Sequence, residues 1–387
     1  MSGFSRRKFA MLTALTAGIV SVVAVGCSAP TEPETIDNPV FIGISSDPFK
    51  NLSPNNSANL FALSADGTGG IFHELAPTSF PSMHRLGSRF IAPDRDSLAV
   101  FDASLEEVFR HEVAGLGAGT QSQSAQSPLH KSVAFSFNEG TAEAPYRHRI
   151  VSATEKTSTT TVTDQRHFSL TACDDGSTRW VEYFPDRGME DPTGPGSARI
   201  VTLQADGQLD EIDVEWNFSE RPYAPIILSC DDPSAYIVSE EDVIYVKDQL
   251  SPAESIGKLP AFEAADRGRF GVVSGEDYFV FSSSGMLTRI NIPGGKVIYA
   301  QPIDLGGKHP ISITFDSSRA YVVVHADEDN QAGLIEIDLN DPTCTSDQLL
   351  LTGFNKLLTA RKPKPETSIG IDAIMPIDPG YSLGCKK

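Results

Sequence analysis

His309-Pro-Ile-Ser-Ile-Thr-Phe-Asp-Ser-Ser-Arg-Ala-Tyr-Val-Val-Val-His325 is followed by an acidic turn and then by Gly333-Leu-Ile-Glu-Ile-Asp-Leu339. Alternation of apolar and polar residues, a D-S-S turn, a β-branched run and a second alternating run read as strand, turn, strand, hairpin, strand. The stretch before it repeats the pattern: Phe270–Val273, Tyr278–Phe281, a Ser284-Gly285 turn, Met286–Ile292, a Pro-Gly-Gly turn and Lys296–Ala300. Four antiparallel strands in roughly 40 residues make one blade of a β-propeller. Helical periodicity is nearly absent from Val40 onward, so the fold class is all-β.

Turn residues count the blades. Asp66-Gly67, Asp94, Asn138-Glu-Gly140, Asp174-Asp-Gly176, Asp231-Asp-Pro233, Ser274-Gly275 and Asp316-Ser317 are taken to follow the first strand of each unit, about 44 residues apart on average. The count favours seven four-stranded blades and leaves six open. Two spacings are irregular. The long one after Asp174 is absorbed by the polar stretch 185–196, and the short one after Asp66 leaves too few residues for four strands. Completing one blade from both chain ends removes an exposed sheet edge, and either Val40–Ile44 or Ser368–Ile377 supplies the missing strands.

The unit at 309–339 resembles the blade of the YVTN/lactonase-like propeller superfamily: Tyr321-Val-Val-Val324 stands at its Y-V-x-N-like strand and Ile335-Glu-Ile-Asp338 at its V-x-V-I-D strand. The resemblance implies the fold alone. His325 occupies the place of that family's frequent Asn, so no site carries over.

The start of the chain reads as an address. Arg6 and Arg7, followed by Lys8-Phe9 and an uncharged apolar run from Ala10 to Val25, resemble a twin-arginine export signal. Ala24-Val-Gly-Cys27 resembles the lipobox of bacterial lipoproteins, which implies lipidation (diacylglyceryl and palmitate chains) of Cys27. The expected organisation is a signal peptide over 1–26, a lipid anchor and Pro/Glu tether over 27–39, and one propeller with a C-terminal tail over 40–387. The expected location is the outer, extracytoplasmic face of the cell membrane. Removing Arg6, Arg7 and Lys8 takes the net charge from −20 to −23. Such acidity repels phosphate backbones, so no nucleic-acid partner is expected.

With Cys27 lipidated, Cys173, Cys230, Cys344 and Cys385 remain, and an even number in an exported chain reads as two disulfides. Cys173 and Cys230 each precede an Asp-Asp turn, and Cys385 lies close to the chain end. These placements favour 173–230 with 344–385 among the three possible pairings.

Histidines carry the sharpest chemical hypothesis. His130, His167 and His309 each stand seven or eight residues before a marker turn, and His84 ten before Asp94. At the start of channel-lining strands they would converge on one mouth, and imidazole is a common zinc ligand. That arrangement is similar to exported zinc-chaperone propellers, although no His-His-Gly or His-Gly-Glu run is present. His73, His111 and His148 read as ordinary strand or loop residues.

Other motifs are weak. Asp327–Asn330 fails calcium-loop spacing. Gly115–Gly119 lacks phosphate-loop spacing, and Ser255-Ile-Gly-Lys258 matches S-x-x-K by letter only, in an expected loop. There is no G-x-S-x-G elbow and no H-E-x-x-H. The leading expectation is a lipid-anchored, non-enzymatic propeller binding a protein or small ligand on a shallow polar face that includes 185–196. A zinc-binding propeller comes second. Third is a lactonase-like hydrolase, which requires a deep channel with convergent carboxylates and shifted pKa values.

Overall fold

Apolar runs such as Tyr321–Val324 are too continuous for a half-exposed sheet, and their burial explains them. In the computed structural model, β24 (Pro310–Asp316), β25 (Arg319–His325), β26 (Ala332–Asp338) and β27 (Leu349–Leu351) form one antiparallel sheet. Ala320 to Val324 of β25 are all buried. Successive side chains of a strand point to opposite faces, so this sheet is covered on both. Residues 36–46, 58–75, 82–94, 96–113, 120–141, 143–144, 146–185, 196–214, 226–231, 234–238, 242–246, 254–258, 270–282, 284–316, 318–325, 332–353 and 370–386 are described. They form 28 strands in seven four-stranded sheets, with no helix among them.

The sheets follow one another round a ring. Blade 1 joins both chain ends: its innermost strand is β28 (Ile371–Pro376), followed outward by β1 (Phe41–Ser45), β2 (Ala58–Leu63) and β3 (Gly69–Leu75). Blades 2 to 7 start on the inner strands β4 (His84–Leu86), β8 (Thr120–Gln126), β12 (Arg166–Ala172), β16 (Ile226–Leu228), β20 (Phe270–Ser274) and β24. Both end segments named from the sequence are therefore used, and they pair with each other, Phe41 opposite Pro376 and Gly43 opposite Ile374.

Burial changes from the axis outward. Middle strands are buried throughout, as in β6 (Ser97–Phe101). Rim strands are polar, as in β7 (Glu107–Glu112) and β15 (Leu209–Val214), and charged rims discourage edge pairing with other chains. Between blades the middle strands interlock. Ile42, Ile44 and Leu60 of blade 1 pack on Phe90, Ala92 and Phe101 of blade 2. Phe41 and Phe61 of blade 1 pack on Tyr321, Val323 and Leu334 of blade 7. Where these two blades meet at the rim, Gly67 (φ 83°) and Gly353 (φ 87°) run against opposing carbonyls, with Leu350 O only 2.1 Å from where a Cβ on Gly67 would sit. Only glycine fits that approach.

Three of the seven turn markers belong elsewhere. Asp174, Asp231, Ser274-Gly275 and Asp316 do lie between first and second strands. Asp66-Gly67 joins β2 to β3, the third and fourth strands of blade 1. Asp94 and Asn138–Gly140 lie between second and third strands. Asp and Gly serve any tight hairpin; at Asp66 the carboxylate accepts the Thr68 N–H at 2.9 Å. The uneven spacing follows from that. Ser255–Lys258 lies in the strand β19 (Glu254–Lys258), not a loop. Residues 1–35, with Arg6, Arg7 and Cys27, fall outside the described residues, as do 115–119, 186–195 and 327–330.

Both expected disulfides are present. Cys173–Cys230 joins the inner turns of blades 4 and 5 with Cα atoms 5.6 Å apart, and Cys344–Cys385 joins blade 7 to the tail with Cα atoms 4.9 Å apart. The tail is also held by polar contacts. Glu336 accepts from Ser382 Oγ (2.6 Å) and Leu383 N (2.7 Å), and Tyr381 stacks edge-on against Phe41.

Arg85 of β4, 2% exposed, locks the closure. It donates to Asp316 Oδ2 of blade 7 (2.9 Å), to Ile377 O (3.2 Å) and to Pro376 O at the end of β28, and it lies over the Phe90 ring at 5.0 Å. One guanidinium thus touches blades 2, 1 and 7. Replacing Arg85 by Leu takes the guanidinium partner from the buried Asp316, and breaking a buried pair from one side costs about 3–5 kcal/mol. Urea unfolding of R85L is expected to show a loss of that order, and the R85L/D316L double variant to recover more than half of it. A loss below about 1 kcal/mol in R85L would remove Arg85 from this role.

Candidate functional site: the central channel

Each inner strand turns its free edge to the channel, and some inner strands are correspondingly polar. β8, Thr-Gln-Ser-Gln-Ser-Ala-Gln, is the clearest case. Adjacent inner strands share no backbone ladder, so glutamines bridge them. Gln121 Oε1 accepts from Ser82 N (3.2 Å), Gln126 Oε1 from Arg85 N (2.7 Å), and Gln123 Oε1 from Leu170 N of blade 4 (3.2 Å). At the other end of the arc, Thr314 Oγ1 of β24 accepts from Ile374 N of β28 at 2.9 Å.

Within the channel lies a cavity of about 250 Å3, bounded by segments 82–84, 124–128, 271–274, 313–315 and 372–375 together with His130 and Leu339. Hydroxyl-bearing residues (Ser82, Ser124, Ser274, Thr314) alternate with apolar ones (Met83, Ile313, Met375) around it. Among the described residues, Asp372 is its one carboxylate and neither Lys nor Arg lines it.

The four singled-out histidines part company. His84 lies on an inner strand as expected, and His130 shares the cavity with it. But His130 sits in the turn between β8 and β9 (Ser132–Asn138), with φ 56°, after its inner strand instead of at the start. Its Nε2 is 3.8 Å from Asp316 Oδ1. His167 is on the inner strand β12 yet turns into the interface with blade 3, where Nε2 is 2.7 Å from Ser136 Oγ and the ring meets His148 edge-on at 4.2 Å. His148, read as an ordinary residue, is therefore half of a buried pair. His309 directly precedes β24 and is exposed.

These residues do not fit a zinc site, which needs at least three protein ligands on one point. Two of the four histidines meet, and among the described residues no group of three or more His, Cys, Asp or Glu is placed to hold a metal ion.

Burial dominates the titration of the channel. It pushes His84 down to about 4, helped by neighbouring His130, and His167 down to about 3, helped by His148. His130 is lowered by burial first, against the pull of Asp316. Asp372 moves the other way: burial raises it to about 7, while hydrogen bonds from Ser46 hold it back. Its Oδ2 is buried without a hydrogen-bond partner. Neither Asp372 nor Arg85 stands out in the sequence. The one available signal was a single acid inside the apolar run Ile371-Asp-Ala-Ile-Met375.

Opposite shifts give opposite pH dependences. Between pH 6.5 and about 4 the unfolded chain takes up protons on histidines that stay neutral when folded, so stability falls on acidification. For Asp372 the folded chain binds the proton first, so its contribution rises as pH falls from about 7 toward 3.8. Thermal unfolding across pH 8 to 4.5 is expected to show H167Q losing less stability than the parent below pH 6.5. D372N is expected to exceed the parent at pH 8, with the gap narrowing steadily as the pH falls toward 4.5. A histidine NMR titration placing His167 above pH 6 would contradict this.

No family model matches the chain, and no curated protein matches it by sequence. Among solved structures it is similar to AztD from Citrobacter koseri at 10% identity, with 81% of this chain and 96% of that chain covered and a TM-score of 0.44. A protein of unknown function from Bacteroides caccae is similar at 12% identity, with 73% and 94% covered and a TM-score of 0.39. A Mycobacterium tuberculosis puromycin-hydrolyzing peptidase is similar at 11% identity, with 80% of this chain and 50% of that chain covered and a TM-score of 0.47.

Proposed function

We propose that this chain is an exported, lipid-anchored binding propeller that takes a small ligand in its central channel and catalyses no reaction. The observation that carries the proposal is the cavity of about 250 Å3, lined by hydroxyl and apolar residues on segments from five blades. Such a mixture suits recognition of a small molecule by enclosure and a few directed hydrogen bonds. It favours a small ligand over a protein docked on an open face. A lactonase-like hydrolase calls for several convergent carboxylates, and among the described residues the lining holds one. The YVTN/lactonase-like resemblance of residues 309–339 fits this scaffold without adding a site. Arg6, Arg7 and Cys27 support twin-arginine export and lipidation, with Ser28–Asn38 as tether. Two disulfides suit an oxidising, extracytoplasmic setting.

Two measurements test the two halves. Cys27→Ser is expected to move the protein from the membrane fraction to the soluble one; continued membrane association would refute the anchor. Native mass spectrometry of protein gently extracted from its own host is expected to show a retained small mass. Filling the cavity with Ala125→Phe should abolish it. Equal retention in both proteins would rule out the channel as the ligand site.

A further inference from the structure

Asp372 is the channel residue that the architecture does not require. β28 pairs with β1 so that Ile44 faces Ala373 and Ser45 faces Ile371, which leaves Asp372 as the extra residue of a β-bulge. A bulge breaks the alternation of a strand and re-aims one side chain, and here the re-aimed residue lines the cavity. Ser46 serves the carboxyl from one side. Oδ2 is buried and receives no hydrogen bond. A carboxyl held in that way is less stable than an apolar or hydroxylic residue at the same place, so folding alone does not account for it.

The surroundings define the complement. Among the described residues no Lys or Arg lines the cavity, and Arg85 is engaged with Asp316 and two carbonyls outside the lining. The two histidines present are neutral at ordinary pH, His84 because burial holds it near 4 and His130 because burial lowers it too. One carboxyl whose Oδ2 receives no hydrogen bond therefore lines a space that the described residues otherwise bound with hydroxyls, neutral imidazoles and apolar side chains. A divalent metal is a poor complement, because the third ligand is not gathered there among the described residues. An ammonium head suits it: one N–H for Oδ2, the others for hydroxyls such as those of Ser124 and Thr314, and a short carbon body for the apolar wall. The chain's formal charge of −20 would also raise the local concentration of cations.

We propose that the channel ligand is a small organic cation, a protonated primary amine, and that Asp372 is its counter-ion. This rests on the reading of the channel as a ligand site. The test uses the full-length protein in detergent at pH 8, with n-butylammonium chloride as probe and n-butanol, sodium chloride and zinc chloride as controls. In thermal unfolding, n-butylammonium is expected to raise the midpoint saturably in the parent, and at least tenfold more weakly in the isosteric variant D372N. Neither n-butanol nor sodium chloride should do so. If n-butanol and n-butylammonium act alike in both proteins, the amine assignment is overturned while the channel remains a ligand site. If zinc binds one-to-one and is lost in D372N with no amine effect, the site is a metal site and the assignment is again overturned. No saturable effect of n-butylammonium overturns it as well, and the native mass measurement then decides separately whether the channel is used. Carbon-13 NMR of the Asp372 carboxyl in the parent needs no variant: n-butylammonium is expected to lower its titration midpoint, and an unmoved midpoint would count against the proposal.

Discussion

Arg85 sits where the two ends of the chain meet. The ring of blades is closed by pairing a segment near residue 41 with one near residue 376, the least local strand pairing among the described residues. Contacts of that separation repay their loop-closure cost last. At the end of β28, Arg85 donates to the carbonyls of Pro376 and Ile377 while meeting Asp316 of blade 7. Burying a guanidinium is costly, and Arg85 Nε is buried without a hydrogen-bond partner. Here its partners come from blade 1 and blade 7, its stacking ring is Phe90 of its own blade, and those partners adjoin only when the ring is shut. The charge therefore does more for specificity of closure than for gross stability. An apolar side chain at the same place would pack without choosing a partner.

The closure also determines what the channel can be. Because neighbouring inner strands do not pair through their backbones, the space between them is bridged by Gln121, Gln123 and Gln126, by Thr314 and by Arg85. These groups leave a lining that is polar without being charged. Against that neutral background a single carboxyl has a large effect, since little else in the cavity screens or balances it.

The sequence displays the parts of this fold whose physics is repetitive. Middle strands must be apolar on both faces, so Tyr321–Val324 and Tyr278–Phe281 announce themselves and the blade follows from them, while the disulfide pairing is legible from where the cysteines stand and the choice of closing chain end is left open. Turn chemistry is less discriminating. Asp66-Gly67 and Asp94 look like Asp316-Ser317 because every tight hairpin needs the same residues, which is why three markers lie in the wrong hairpin. Inner strands are the least legible. Thr120–Gln126 has almost no apolar content, since one face meets the channel and its edge needs hydrogen-bonding side chains. His130 and His167 have similar spacings to their markers, yet one ends in a turn over the cavity and the other between blades. A bulge or a short strand redirects a side chain without leaving a trace in residue spacing.

Asp372 joins the two themes, because it lies on the strand that closes the ring. β28 completes blade 1 by pairing with β1, and it carries the bulge, the Ile374 N–H bond to Thr314 and the carbonyls that Arg85 caps. The strand that closes the ring is thus also the one that gives the cavity its carboxyl. A ligand held by Asp372 thus binds the closed ring in preference to any form in which β28 has come away, and by linkage it stabilises the closure. The cost of leaving Oδ2 open in the empty protein and the gain on filling it act on the same strand pairing. A destabilising residue is tolerable at that position because Arg85, the tail contacts through Glu336 and the Cys344–Cys385 bridge hold the closing segment on either side of it.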